Sequence, residues 1–170
     1  MKVLQPLLKD RWLLGHRLDK ETSGALIFVK DESVLQKVIA LFKEHSVEKF
    51  YLALVDRQVS QEEGKIDRPI AKLQSYQGRS LYGVAATPDV KRAVTLWRCL
   101  KRSKRASLLL CQPMTGRTHQ LRVHLSYIGH PILEQKFFHD KEQLKKELLI
   151  SENTTIITVT PGSRKSEIIM

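Results

Sequence analysis

The sequence has few of the features that mark disulfide-rich, membrane-spanning or secreted proteins. It contains two cysteines, and Cys99 and Cys111 each lie inside an apolar run rather than in a CxxC pair. This predicts buried, reduced thiols and no disulfide framework. The longest apolar runs, such as ALIFV and IALF, are far shorter than the roughly 18 residues that a membrane span needs. No secretory segment follows Met1, so we expect a cytoplasmic protein without a membrane anchor.

Metal-ligand spacing is also lacking. His119 and His124 are separated by five positions rather than the four of an HExxH helix, and no carboxylate or thiolate stands at ligand spacing beside them. The sequence therefore predicts no metal site.

Positive charge is abundant. Lys and Arg total 29 against 18 Asp and Glu, which gives a formal net charge of +11 and a pI near 9.8. Such an excess favours a polyanionic partner, although charge that only keeps a protein soluble would give the same composition. The length of 170 residues and the 42% hydrophobic content predict one globular domain over residues 1–170.

Several stretches have the composition of strands and two have the spacing of helices. The predicted strands are 25–29, 47–55, 92–100, 106–113 and 154–159. The run at 25–29 is apolar enough to be buried on both faces, and KRSKR at 101–105 is typical of a hairpin tip. One helix begins after Asp31 as N-cap, and another follows TGRT, where Leu121, Leu125 and Ile128 recur at helical spacing.

Strands outnumber helices and do not alternate regularly with them. This pattern favours an α+β fold with a mixed, largely antiparallel sheet and a few helices.

Three segments carry side chains suited to chemistry. GHRLDKETSG at 15–24 precedes the first strand, although polar residues also gather there as simple turns. KFYLALV places Lys49 and Tyr51 on one strand face, where a tyrosine commonly serves in packing alone. TGRTHQLRVHLSYIGHP at 115–131 puts His119, Arg122 and Ser126 on one predicted helix face.

In this order, the three segments resemble the RluA-type family of RNA pseudouridine synthases. HRLDKETSG matches the family's HRLDxxTSG signature, KFYLALV its KxYxAxV strand, and TGRTHQLRVHLSYIGHPI its third motif. IDRPIAK and KRAVTLWRCL agree less closely with the intervening strands, so the resemblance covers about residues 15–133. Three motifs in order are far more specific than one.

The resemblance implies an enzyme that isomerises uridine to pseudouridine in structured ribosomal or transfer RNA, as a monomer and without metal or cofactor. Asp19 would be the catalytic carboxylate, Tyr51 an aromatic acid or base, and Arg122 the cation that keeps Asp19 ionised. Arg17 would occupy the place of the extruded base. RNA-binding positions would comprise His16, Arg17, Thr22, Lys49, Arg117, His119 and Gln120.

Phosphate contacts could also come from KRSKR, for which a solvated loop without function is the alternative. The sequence departs from the family pattern at both ends. A KPxG-like turn normally precedes HRLD, so the chain resembles an N-terminally truncated member, and residues 134–170 form a divergent C-terminal segment. The alternative function is therefore a truncated, inactive homologue that still binds RNA. A generic basic nucleic-acid-binding module would require the three motifs to be coincidence.

Overall fold

The computed structural model describes residues 12–19, 22, 24–76, 79–85, 90–133 and 157–161, the last of these as backbone only. The helices and strands in chain order are β1 Leu13–Leu14, β2 Phe28–Val29, α1 Glu32–Lys43, β3 Val47–Asp56, β4 Glu63–Asp67, β5 Ile70–Tyr76, β6 Arg79–Val84, β7 Val94–Arg102, β8 Ala106–Pro113, α2 Gln120–Tyr127 and β9 Ile157–Pro161.

A five-stranded sheet with the order β4-β7-β8-β3-β9 forms the centre of the fold. Strands β5 and β6 pair as a separate hairpin, and β1 pairs with β2. Every strand pair among the described residues is antiparallel. The α+β class with a largely antiparallel sheet is thus confirmed.

The core lies on the sheet face that α2 covers. Leu109 and Cys111 of β8, Val55 of β3 and Leu125 of α2 are completely buried there. The ring of Trp97 packs over Gly64, its register partner on β4, where an added Cβ would lie 2.7 Å from the ring. Both cysteines are free and buried, and burial raises the pKa of the Cys111 thiol to about 12. The prediction of buried, reduced thiols agrees with this arrangement.

The first predicted helix begins where its cap indicates. Asp31 has extended backbone, and its carboxylate accepts hydrogen bonds from the backbone N–H groups of Ser33 and Val34 at 2.6 and 3.3 Å. This is the standard way to satisfy the free N–H groups of a helix start.

The strand predicted at 25–29 is wrong in extent and burial. Only Phe28–Val29 is strand, paired with the two residues of β1, and none of 25–29 is fully buried. Among the described residues, the strand neighbour of this run is the two-residue β1.

The predicted hairpin around KRSKR is confirmed. Strands β7 and β8 pair with Arg102 opposite Ser107, so that residues 103–105 form the tip. Near the C-terminus, the predicted strand at 154–159 corresponds to β9, which pairs with β3 from Val47↔Pro161 to Tyr51↔Ile157.

Candidate active site

One cleft of about 950 Å³ collects the three motifs. A cleft of this size can take a small ligand. All ten residues that the resemblance assigned to catalysis or RNA binding line it, namely His16, Arg17, Asp19, Thr22, Lys49, Tyr51, Arg117, His119, Gln120 and Arg122. Their shared location is a finding, whereas the role of each residue stays a prediction.

The first motif reaches the cleft through the small β1–β2 pair. The N–H of Gly15 donates to the carbonyl of Ile27 at 2.8 Å, which anchors the chain just before His16. A Cβ at Gly15 would lie 3.0 Å from Val38 of α1 and 3.2 Å from the Ile27 carbonyl oxygen, closer than ordinary van der Waals contact. After Asp19, the N–H of Thr22 donates to the Asp19 carbonyl at 2.9 Å and closes a turn.

His16 lies deeper in the cleft than Arg17. Its ring packs on Phe42 of α1 with ring centroids 5.0 Å apart. Burial lowers the pKa of His16, and the nearby positive charge of Lys49 lowers it further against a hydrogen bond to the Arg17 backbone. Nε2 of His16 is buried without a hydrogen-bond partner among the described residues. Arg17, by contrast, is exposed at the cleft wall.

Strand β3 contributes Lys49 and Tyr51 to the same wall, as the two-residue period predicts. Burial lowers the pKa of Lys49. Burial also raises the pKa of Tyr51, and the negative charge of Asp19 raises it further. The Tyr51 hydroxyl therefore keeps its proton beside the carboxylate and can act as a donor.

The third motif places His119 differently from the sequence prediction. Helix α2 begins at Gln120, and His119 is its N-cap with φ 54° and ψ 26°, in the left-handed region. The prediction that His119, Arg122 and Ser126 share one helix face is therefore wrong, because His119 lies outside the helix. Its side chain instead reaches the first motif, where Nδ1 lies 2.9 Å from Oδ2 of Asp19.

This contact between Asp19 and His119 joins residues 100 positions apart. The sequence predicted His119 as an RNA-binding residue and did not indicate this contact. Arg122 lines the same cleft as Asp19, and the ion pair expected between them stays a prediction. Tyr82 of β6 was also missed, because no motif marks it. Its ring meets His119 edge-on, with centroids 5.6 Å apart and an interplanar angle of 71°.

Gln120 is held entirely by the protein. Its Nε2 donates to the Val94 carbonyl at 2.9 Å and to Thr95 Oγ1 at 3.0 Å. Its Oε1 accepts from Thr115 Oγ1 at 2.7 Å and from the Arg117 N–H at 3.0 Å. These four bonds use the full capacity of a side-chain amide. Gln120 thus ties the loop of the third motif to β7.

The basic residues divide between the cleft and the far end of the sheet. Arg117 lines the cleft, and its Nε donates to the Arg92 carbonyl at 3.0 Å. The hairpin tip at 103–105 lies at the opposite end of β8 from Pro113, a cleft residue, and eight strand residues span about 25 Å. Arg102 binds the carbonyls of Val59 and Gln61. The solvated-loop alternative for KRSKR is therefore the one this geometry favours.

Two properties of the described part of the chain concern metal ions and membranes. No group of three His, Cys, Asp or Glu side chains comes together there as a metal site would require. No helix in that part of the chain is long and apolar enough to cross a membrane.

Comparison with family models gives two matches. The model described as RNA pseudouridylate synthase matches residues 1–127, about three quarters of the chain. The model of lipid-A-disaccharide synthetase matches residues 115–170, about a third of the chain. The second match includes the segment 134–170 that departs from the three-motif pattern, so the prediction of one domain over 1–170 stays a prediction.

Named relatives are similar over most of the chain. The Ribosomal large subunit pseudouridine synthase D of Zymomonas mobilis is 38% identical over 136 residues, which is 80% of this chain and 42% of that protein. The synthase C of Escherichia coli is 36% identical over 143 residues, covering 84% and 44%. The chain thus spans about half the length of these relatives.

A solved structure shows the same fold. Human RNA Pseudouridylate Synthase Domain Containing 1 aligns with a TM-score of 0.65 at 32% identity, covering 72% of this chain and 53% of that one.

Proposed function

We propose that the chain isomerises uridine to pseudouridine in structured RNA, because it belongs to the RluA-type family of RNA pseudouridine synthases. In this reaction the C1′–N1 bond breaks and a C1′–C5 bond forms, while N1 gains a proton and C5 loses one. The observation that carries the proposal is the convergence of Asp19, Tyr51 and Arg122 on one cleft.

Asp19 is the proposed catalytic group, acting as an ionised carboxylate on ribose C1′ or on the uracil ring. Arg122 supplies the positive charge that favours the ionised form. Tyr51 stacks on the base and donates or accepts the proton that moves in the second half of the reaction. The raised pKa of Tyr51 keeps its hydroxyl protonated near neutral pH, so that in the resting cleft it is a hydrogen-bond donor.

Base extrusion falls to Arg17 in this proposal. A stacked uridine costs a few kcal/mol to flip out, and the exposed guanidinium of Arg17 at the cleft wall can stack in its place. His16, Thr22, Lys49 and Arg117 contact the nucleotide and its phosphates. For Gln120 we replace the predicted RNA contact by a supporting role, because its polar atoms are occupied.

The names of the relatives favour a ribosomal substrate, and we propose ribosomal or transfer RNA as the target class. We further propose that the protein acts in the cytoplasm as a monomer, with neither metal nor cofactor.

The test is Asp19→Asn, which keeps the shape of the side chain and removes its charge. Conversion is measured by carbodiimide labelling of total RNA from cells lacking the protein. The variant should form no pseudouridine and bind RNA equally well or slightly better, because a negative charge facing a polyanion is lost. Asp56→Asn, at the far end of β3 in an ion pair with Arg57, is the matched control and should convert normally.

Two results would contradict the proposal. If Asp19→Asn converts as well as wild type, Asp19 is not the catalyst. If the wild-type protein binds RNA and converts nothing, even when supplied with upstream residues, the inactive homologue is the correct description.

A further inference from the structure

The backbone of His119 adopts a conformation that residues other than glycine seldom adopt. Its φ of 54° and ψ of 26° lie in the left-handed region, which a residue with a Cβ enters at a cost and in which His, Asn and Asp are over-represented. Such backbone conformations cluster at functional sites, where surrounding contacts enforce them. The conformation at His119 therefore needs a compensating contact.

The side chain of His119 also does not make the hydrogen bond that is usual for an N-cap residue. His119 is the N-cap of α2, yet its side chain makes no capping hydrogen bond to the helix. An N-cap side chain ordinarily accepts from a free N–H of the first turn. Here the ring turns away and places Nδ1 2.9 Å from Oδ2 of Asp19.

The direction of this hydrogen bond follows from the acceptor. An ionised carboxylate has no proton to give, so Nδ1 of His119 carries the proton and donates it. Tyr82 confines the same ring from β6, meeting it edge-on at 71°. The ring is thus held between Asp19 of the first motif and Tyr82 of the β5–β6 hairpin.

We propose that His119 is a positioning residue, whose Nδ1–H fixes the orientation of the Asp19 carboxylate toward the bound nucleotide. This inference rests on the proposed function and deepens it. It replaces the RNA contact predicted for His119. If the carboxylate rotates away from its target, the reaction slows steeply, because a misplacement of about 1 Å can lower the rate roughly 100-fold.

Two substitutions separate the side chain from the backbone. His119→Gly accepts the left-handed conformation freely and removes the donor. His119→Asn also tolerates that conformation, and its amide nitrogen is as many bonds from Cα as Nδ1, so it can donate from a similar place. The thermal unfolding midpoint of both variants is recorded first and should equal that of wild type within a few degrees.

Single-turnover and steady-state conversion of total RNA from cells lacking the protein then gives kcat and KM. For His119→Gly, kcat should fall by about 100-fold with KM within about two-fold of wild type. His119→Asn should regain at least about ten-fold of that loss. Equal loss of kcat in both variants would overturn the proposal. So would an effect confined to KM, which would mark His119 as an RNA contact.

A readout without RNA separates this inference from the proposed function. In ¹⁵N NMR spectra that report the imidazole tautomer, His119 of the wild-type protein should show a protonated Nδ1, and Asp19→Ala should lose this preference. Identical spectra for the two proteins would overturn the contact. A wild-type protein with the expected spectrum and no conversion would instead overturn the proposed function.

Discussion

Nδ1 of His124 lies 2.9 Å from Oγ1 of Thr95, and both side chains are completely buried. Nε2 of the same histidine lies 2.9 Å from the Arg68 carbonyl. Because a carbonyl only accepts, Nε2 carries the proton and Nδ1 of the neutral ring accepts from the Thr95 hydroxyl. Gln120 donates to the same Thr95 oxygen, so one hydroxyl of β7 holds two residues of α2.

Thr95→Val should destabilise the protein by about 2–4 kcal/mol, because it leaves a buried acceptor on His124 and a buried donor on Gln120 unsatisfied. Thr95→Ser keeps the hydroxyl and should cost only about 1 kcal/mol for the lost methyl group. Urea unfolding followed by circular dichroism gives both free energies. Equal values for the two variants would show that the hydroxyl contributes nothing.

His124 also predicts how stability depends on pH. Burial lowers its pKa below the ordinary value of 6.5, only partly opposed by the bond to the Arg68 carbonyl and the charge of Asp67. Below about pH 6.5 the unfolded chain therefore takes up a proton that the folded protein resists. The free energy of unfolding should fall as pH drops from 7.5 to 5.

The matched variants for this pH effect are His124→Gln and His45→Asn. His124→Gln should be less stable overall but should lose less stability on acidification. The decline that persists would come from His16, whose pKa burial also lowers. His45 is exposed at φ 58°, which Asn tolerates, so His45→Asn should keep the wild-type profile. An unchanged profile for His124→Gln would exclude His124 as the titrating group.

Gly64 is required by the tryptophan ring above it. An alanine Cβ would lie 2.7–2.9 Å from three ring atoms of Trp97, which is 5% exposed. Gly64→Ala should therefore cost about 1–3 kcal/mol, as overpacking of a filled core does. At Gly116 the nearest atom, Nζ of Lys49, would be 3.6 Å away, so Gly116→Ala is the control in the same unfolding measurement. Equal stability of the two variants would refute the packing argument.

Local signals made some parts of this fold predictable. The start of α1 followed from Asp31, because a cap needs only the next three residues. Strands β3, β7 and β8 have long apolar runs that sit in the middle of the sheet. Strand β2 was overestimated because composition does not reveal that its one described neighbour is two residues long.

The site was predictable as a set of residues and not as a set of contacts. The resemblance to the family indicated which side chains share a site, and all ten line one cleft. Helical spacing failed at His119, because a single left-handed residue removes a side chain from the face that periodicity assigns. For Gln120 the sequence could not indicate that four partners inside the protein occupy its amide, because those partners include backbone atoms of β7.

Salt dependence should distinguish the basic residues that bind RNA from those that do not. Each phosphate contact releases counterions, so the logarithm of affinity falls with the logarithm of salt concentration in proportion to the number of contacts. Arg117 lines the cleft, whereas Lys104 lies exposed at the hairpin tip at the other end of β8. Arg117→Gln should therefore weaken binding to a structured RNA transcript and reduce the slope by about 1. Lys104→Gln removes the same charge and should leave the slope unchanged, measured by fluorescence anisotropy between low and physiological salt. If the two variants change the slope equally, RNA affinity depends on the net charge of the protein and not on residues of the cleft.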